Sequence, residues 1–588
     1  MKNLSIISLV LVAFMVFTSA CGTTQSPPAA ETTAAAATTA AAAATTAAAA
    51  ETTAATTAAG ATTAAAAATT AAAAATTVAA PTATDGGARK LTKDYSEFMR
   101  FTWLNDATQP DVNEDPYGRY FNDMFNMEWE VVVTPGDQIT NMMRIWGAAN
   151  DMPDIMSWSG HNNFVDGKVF AENDQVKRFP DNWQLEWPNL AQTIELTGVM
   201  EQFDSFYGAT YYLPRPIFAF NKPTDIIIPH QSTYMRKDWM EAVGAPLKHT
   251  YTIQELLDIG RQIKAADPGN LGDALQVFGS NRGSQLWWWV YPLVGGSGGN
   301  NTHYYKDESG QYQWVWAKPE VLTGLKYYQT AYREGLMHPE FYVQDVVVEE
   351  TFSTVGQAAF YSSSFMATVA TRLGAGLKEQ FDLDPEDWFY WSYTTDDNGV
   401  FWCPEASNAY NTVCFSGTIP DDKYERLMDI LDYCASEEGN RIVRYGLEGI
   451  DWVFDTDGSV KSLLEPGETI PYKYYSCRPI YNNLIINGDD FGIINPSFLP
   501  IYRDAVWDMY QSKYKDTTPE SLMRIDWDVS LQSSDARTRA NAIQIGDDFA
   551  ALIIDSGDLE TNYNKWLSDS MATINVVLDE LNAIAAGN

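Results

Sequence analysis

The chain of 588 residues is poor in cations, histidine and cysteine: 38 Lys and Arg face 76 Asp and Glu, with 5 His and 5 Cys. A net charge of −38 excludes the basic surfaces that nucleic acids and anionic membranes require, and it favours solubility in an exported chain. Apart from Cys21 the cysteines are Cys403, Cys414, Cys434 and Cys477. They have no zinc-like spacing and the few histidines are scattered, so no metal or other cofactor is expected. Four cysteines allow three disulfide pairings or none, and both states stay open. Asp-rich turns in KDESGQYQWVW, TDDNGVFW and FDTDGSVKS lack the closing glutamate of a calcium loop and read as hairpins turning on Gly. Long apolar runs are missing too: beyond the N-terminus, nothing is apolar enough to cross a bilayer.

What is there begins with Lys2 ahead of an uncharged apolar run from Leu4 to Phe17, too short for a permanent span and followed by small residues, the layout of a secretory signal. It ends in Thr18-Ser19-Ala20-Cys21. Small residues before a cysteine resemble the lipobox of bacterial lipoproteins, although Thr18 stands where Leu is usual. The resemblance implies that residues 1–20 are a signal peptide and that Cys21 carries lipid. A plain secreted protein with an idle Cys21 is the alternative. Nearly every residue from Gly22 to about Asp85 is Ala or Thr. Repeated Thr pairs lower the helix propensity of Ala, and no apolar face is available for packing. Residues 21–87 therefore read as a lipid-anchored, disordered tether, open to glycosylation on Thr. The expected location is the extracellular face of the cell membrane, with the lipid as the only membrane contact.

Residues 88–588 are too many for one simple core and natural for two lobes. YSEFMRFTWL at 95–104 reads as a strand, WEVVVTP as a second and DMPDIMSW as the end of a third, with helices toward Met127 and through Met142, Met143, Ile145 and Trp146. This β-α-β-α-β order predicts an α/β lobe with a largely parallel sheet. Ligands in such sheets sit outside the carboxyl ends of strands, which marks Trp103 to Asp106 and Trp158 to His161. Further on, Thr252 and Glu255 form a capping-box pattern on a helix that Asp267-Pro268-Gly269 stops. A second helix runs from Pro319 to Arg333 with Gly335 as its cap, and a third from Asp422 to Glu437 with Tyr424, Leu427, Met428 and Leu431 on one side.

The stretch QLWWWVYPLVGG at 285–296 places three tryptophans in a row. On a helix Trp287, Trp288 and Trp289 fan over roughly 200° and on a strand they alternate, so a one-sided core does not hide all three. Either the segment is packed on both sides, or one ring is aimed at a second surface.

Several blocks resemble the family 1 extracellular solute-binding proteins, the lipoprotein receptors of sugar-importing ABC transporters. They are DMPDIMSW (151–158), FYGATYYLPRP (206–216), YMRKDWMEAVGAP (234–246), YREGLMHPEF (332–341), VGQAAF (355–360), CASEEGNRIVRYGLEGIDW (434–452) and LETNYNKWLSDSMATINVVLDEL (559–581). The resemblance implies an α/β, two-lobed periplasmic-binding-protein-like fold of type II, built from discontinuous pieces and closing on a ligand between the lobes. It further implies a non-enzymatic monomer that hands a carbohydrate, an oligosaccharide by preference, to permease subunits and their ATPase. The long tether and the 19 Trp depart from the family pattern, so the ligand is not carried over. A sugar presents C–H faces to aromatic rings and hydroxyls to polar groups, which makes Trp103, Asp106, Trp158, Tyr211, Tyr212, Trp287, Trp288, Trp289, Trp402, Glu448, Asp451 and Trp452 the candidate ligand residues. Each has a structural alternative: Tyr211 can pack a hinge, Trp402 can staple its hairpin, and Glu448 can pair with Arg444. Two other functions stay open. A glycoside hydrolase needs two carboxylates about 5 to 10 Å apart, and a surface adhesin would hold polymer rather than short sugars.

Overall fold

The computed structural model describes residues 93–586, apart from 106–111, 135–137, 159, 161–162, 219–221, 280–284, 296–302, 345–352, 466–467, 478, 480–491, 494 and 532–533. All of them belong to one unit, residues 85–588. Cys21 and the tether lie outside the described residues.

In the first lobe the strands are β1 (Met99–Asn105), β2 (Met127–Val133), β3 (Ile155–Trp158) and β4 (Leu213–Pro216). In the second they are β5 (Gln231–Arg236), β6 (Thr250–Thr252) and β7 (Gln276–Gly279). A small hairpin, β8 (Tyr304–Lys306) and β9 (Tyr312–Trp314), precedes β10 (Ala358–Ser364) and β11 (Phe389–Thr395). The chain then passes through β12 (Cys403–Pro404) and returns to the first lobe as β13 (Ala409–Phe415). A second hairpin, β14 (Trp452–Phe454) and β15 (Val460–Ser462), and the short β16 (Leu522–Met523) complete the set.

The first sheet has the order β2-β1-β3-β13-β4, and the second β6-β11-β5-β10-β7. β1 is parallel to β2 and β3, whereas β13 is antiparallel to β3 and β4. In the second sheet β5 is antiparallel to both neighbours, β10 and β11. Successive residues go to opposite faces: Ile155 and Val413 enter one core of the first lobe, Met156 and Cys414 the other. Met235 and Phe360 likewise face one core of the second lobe, Tyr234 and Tyr361 the other. Strands buried on both faces need apolar residues at nearly every position, which is how DIMSW and TYM read.

The capping box holds as expected: Thr252 Oγ1 accepts from the Glu255 amide at 3.2 Å and Glu255 Oε2 from the Thr252 amide at 2.9 Å, starting the helix Ile253–Ala266. That helix ends on a left-handed Asp267, and the helix Pro319–Arg333 is followed by Gly335 at φ +64°. Three expectations need correction. The first strand starts at Met99 rather than Tyr95, because Ser96 folds back onto Asp94. The helix from Asp421 stops at Ala435, and the Ser436 side chain, accepting from the Gly439 amide, starts a second helix, Glu437–Tyr445. TDDNGVFW makes a turn, with the Asp396 amide donating to Val400 at 3.0 Å, but no hairpin, since the residues beyond pair with β16. The other two Asp-rich turns do close hairpins, β8 with β9 and β14 with β15. In them Asp307 and Asp457 accept from neighbouring turn amides and serine hydroxyls. All four described cysteines are buried free thiols.

Candidate functional site

The chain passes between the lobes through residues 217–230 and 396–408, and again between Cys477, in the first lobe's core, and Phe498, in the second's. Asn408 ties the first two crossings. Its backbone carbonyl accepts from Ile217 at 3.0 Å, its side-chain oxygen from the Phe218 amide at 2.9 Å, and its side-chain nitrogen donates to Phe218 O at 3.0 Å. Because β5 starts where β11 and β10 end, the carboxyl ends of the parallel strands in the second sheet face these crossings, as do those of β3 and β4 in the first. Both lobes thus present carboxyl strand ends to one cleft, the usual ligand position in open α/β sheets.

The three tryptophans divide. Trp288 and Trp289 are 1% and 0% exposed, each edge-on to Phe278, and the Trp289 indole donates to Gln285 Oε1 at 2.7 Å. Trp287 is half-buried, edge-on to Tyr291 at 4.8 Å, and lines a pocket in the cleft floor with Trp402. Tyr393, Phe401, Ser232 and Lys513 are among the other residues of its wall. Trp402 also staples its turn, donating its indole N–H to Asp396 at 3.0 Å. The fold thus brings two of the sequence-predicted candidates together here, from segments more than a hundred residues apart.

On the first lobe Trp158, Tyr211 and Tyr212 form a second cluster. The Tyr212 hydroxyl donates to Gly167 O at 2.8 Å, whereas the buried Trp158 indole N–H has no hydrogen-bond partner among the described residues. Two side chains unmarked by the sequence reading, Trp527 and Leu531, pack against this cluster from the second lobe's C-terminal segment. Between them Val529, 0% exposed, is buried in the second lobe's core. The alternation in IDWDVSL, with Trp and Leu four apart and Val between, was the available signal: a short helix, Trp527–Ser530, with a face for each lobe.

Other candidates are occupied by structure. Trp103 is 0% exposed inside the first lobe, and Tyr212, Trp288 and Trp289 are likewise core. Asp451, 0% exposed, accepts from Lys473 Nζ at 2.6 Å, the Tyr474 hydroxyl at 2.9 Å and the Leu447 amide at 2.7 Å. Trp452 donates its indole N–H to Gly446 O at 2.9 Å. Each of these residues fills a gap or satisfies a partner within its own lobe. Glu448 is exposed. Asp106 lies outside the described residues. Among those described, no group of three or more His, Cys, Asp and Glu is placed to hold a metal ion.

No family model and no curated protein sequence matches the chain. Solved structures do. The alginate-binding protein AlgQ2, solved without calcium ion, superposes with a TM-score of 0.59 at 16% identity, covering 82% of this chain and 97% of its own. The Streptococcus pneumoniae ABC-transporter substrate-binding protein FusA, solved with kestose, gives 0.60 at 12% identity over 84% and 100%. An extracellular solute-binding protein from Bifidobacterium longum subsp. infantis gives 0.57 at 12% over 83% and 98%. The fold is that of the ABC-transporter solute-binding proteins. The pocket under Trp287 and Trp402 is lined by second-lobe side chains together with Pro229 and Phe401 to Pro404 of the crossings, and Trp527 packs against the first lobe's core.

Proposed function

We propose that the protein is the extracellular substrate-binding lipoprotein of an ABC importer, capturing a carbohydrate by hinge closure. The observation that carries the reading is the pair of half-buried rings, Trp287 and Trp402, at the floor of an interlobe cleft whose crossings Asn408 ties together. Aromatic faces suit the C–H face of a sugar ring, and the Ser232 hydroxyl lining the same pocket, without a hydrogen-bond partner among the described residues, suits one of its hydroxyls. FusA was solved with kestose, which supports an oligosaccharide. The reading is non-enzymatic, supported by the binding and substrate-binding proteins among the similar solved structures. Residues 1–20 are the proposed signal peptide, Cys21 the lipidated anchor and residues 21–87 the tether. Residues 88–588 are proposed to act as a monomer that delivers sugar to permease subunits and their ATPase.

The test is a thermal-shift and tryptophan-fluorescence screen of the protein against mono- and oligosaccharides, with mass analysis of each sugar afterwards. Saturable stabilisation with the sugar intact is expected; a ligand at a hundred times its Kd adds about 2.7 kcal/mol to native-state stability. Cleaved sugar would instead identify a glycoside hydrolase. Binding only to polymer would identify a surface adhesin.

A further inference from the structure

Lys513 lies on the helix Pro500–Asp516 with 2% of its surface exposed. Its ammonium donates to the backbone carbonyls of Pro229, at 3.3 Å, and Gln231, and sits over the rings of Tyr393 and Phe401 at 5.7 and 5.6 Å. No carboxylate among the described residues pairs with it; the nearby Asp516 instead accepts from the Tyr393 hydroxyl at 2.7 Å. The other titratable neighbours bring no negative charge. Burial holds the Cys403 thiol up at about 12 and His230 down at about 3, so both are neutral near pH 7. A buried ammonium without a counter-charge is costly, and lysines are almost never fully buried unless paired.

The missing charge has a place to sit. Lys513 lines the pocket below Trp287 and Trp402, which holds about 50 Å³. That is room for a few waters or a carboxylate and far too little for a sugar ring, since whole-ligand pockets run from about 300 Å³. Ser232, 3% exposed, lines the same pocket, and its hydroxyl has no hydrogen-bond partner among the described residues. We infer that this floor pocket receives the carboxylate of an acidic sugar, with Lys513 supplying the opposite charge and Ser232 a hydrogen bond while the ring rests on Trp287 and Trp402. The inference rests on the carbohydrate reading and narrows it to anionic sugars. Burial lowers Lys513 to about 7, which gives the pocket a pH signature, because acid binding requires the protonated ammonium.

The test titrates the full-length protein with an oligogalacturonide and with its carboxyl-reduced, neutral counterpart, at pH 6 and pH 8.5. 3′-Sialyllactose and lactose form a second pair, with the carboxylate from a different sugar. At least tenfold preference for one acidic member is expected at pH 6, shrinking at pH 8.5, with the neutral partner unaffected by pH; whichever pair shows it identifies the source of the carboxylate. Lys513→Gln should abolish the preference. If that variant does not fold, Ser232→Ala should weaken acidic binding more than neutral. Neutral sugars binding as well as acidic ones, or a preference unmoved by pH and by Ser232→Ala, would overturn the inference and leave the carbohydrate reading standing. Silence toward every sugar would overturn both.

Discussion

Replacing Trp288 and, separately, Trp287 by alanine sets core against cleft within one helical turn. Trp288 is 1% exposed and packs on Phe278 and Phe360 at 5.2 and 6.3 Å. Its truncation leaves a cavity inside the second lobe, with an expected loss of about 3 to 5 kcal/mol in unfolding free energy. Trp287 is only half-buried and sits edge-on to Tyr291, so its truncation should cost about 1 kcal/mol in stability. Binding should show the reverse order. If Trp287 stacks on the ligand, losing it removes about 1.4 kcal/mol or more, a tenfold or greater rise in Kd. Trp288→Ala, measured where the protein is still folded, should leave Kd within about twofold. Denaturant unfolding gives the stabilities and fluorescence titration the affinities. Equal destabilisation by the two variants, or unchanged sugar affinity in Trp287→Ala, would refute the division of the three rings.

Three further outcomes are expected. Asp451→Ala strands Lys473 and Tyr474, so it should cost about 3 kcal/mol in denaturant unfolding while the folded protein binds sugar normally; a selective loss of binding would return Asp451 to the cleft. Trp527→Ala removes a contact between the lobes, so ligand release should speed up several-fold and ligand-induced compaction in small-angle scattering should weaken; unchanged release would mean that the contact does not hold the cleft closed. For Lys513 the sign follows from its lowered proton affinity, about 7 against an ordinary 10.5. Between these values the unfolded chain binds the extra proton, so the folded state gains stability as pH rises. Relative to Lys513→Met, the wild type should gain up to about 1.4 kcal/mol per pH unit above 7, and a flat difference from pH 7 to 9 would contradict this burial.

The candidate site was legible in part. Trp287 and Trp402 could be marked because each sits in a segment with more aromatic surface than a local core absorbs, yet nothing in the sequence said that they meet. Trp103 and Trp158 sit at the ends of β1 and β3, where an α/β sheet binds ligands, but strand alternation turned both side chains into cores. Asp451 looked like a sugar-binding carboxylate, and only its distance to Lys473 reveals a buried ion pair. Lys513 gave no local sign at all. In SKYKD it reads as a solvated helix residue, and its burial depends on crossings nearly three hundred residues earlier.

By itself the sequence determined what depends on neighbours along the chain: the capped helix at Thr252, the β-α-β-α-β start, the Ala/Thr composition of the tether, and two-sided strands such as DIMSW. Hydrogen bonds to the next turn and side-chain periodicity are local, so their pattern is written in order. Tertiary structure decided what depends on distant partners. The residues after Asp396 became a paired strand with Leu522–Met523 instead of a hairpin. One of three adjacent tryptophans kept a face to the cleft, and a lysine was drawn into its floor. Burial and pairing are set by whatever arrives from elsewhere in the chain, and that arrival is fixed only when the two lobes have formed.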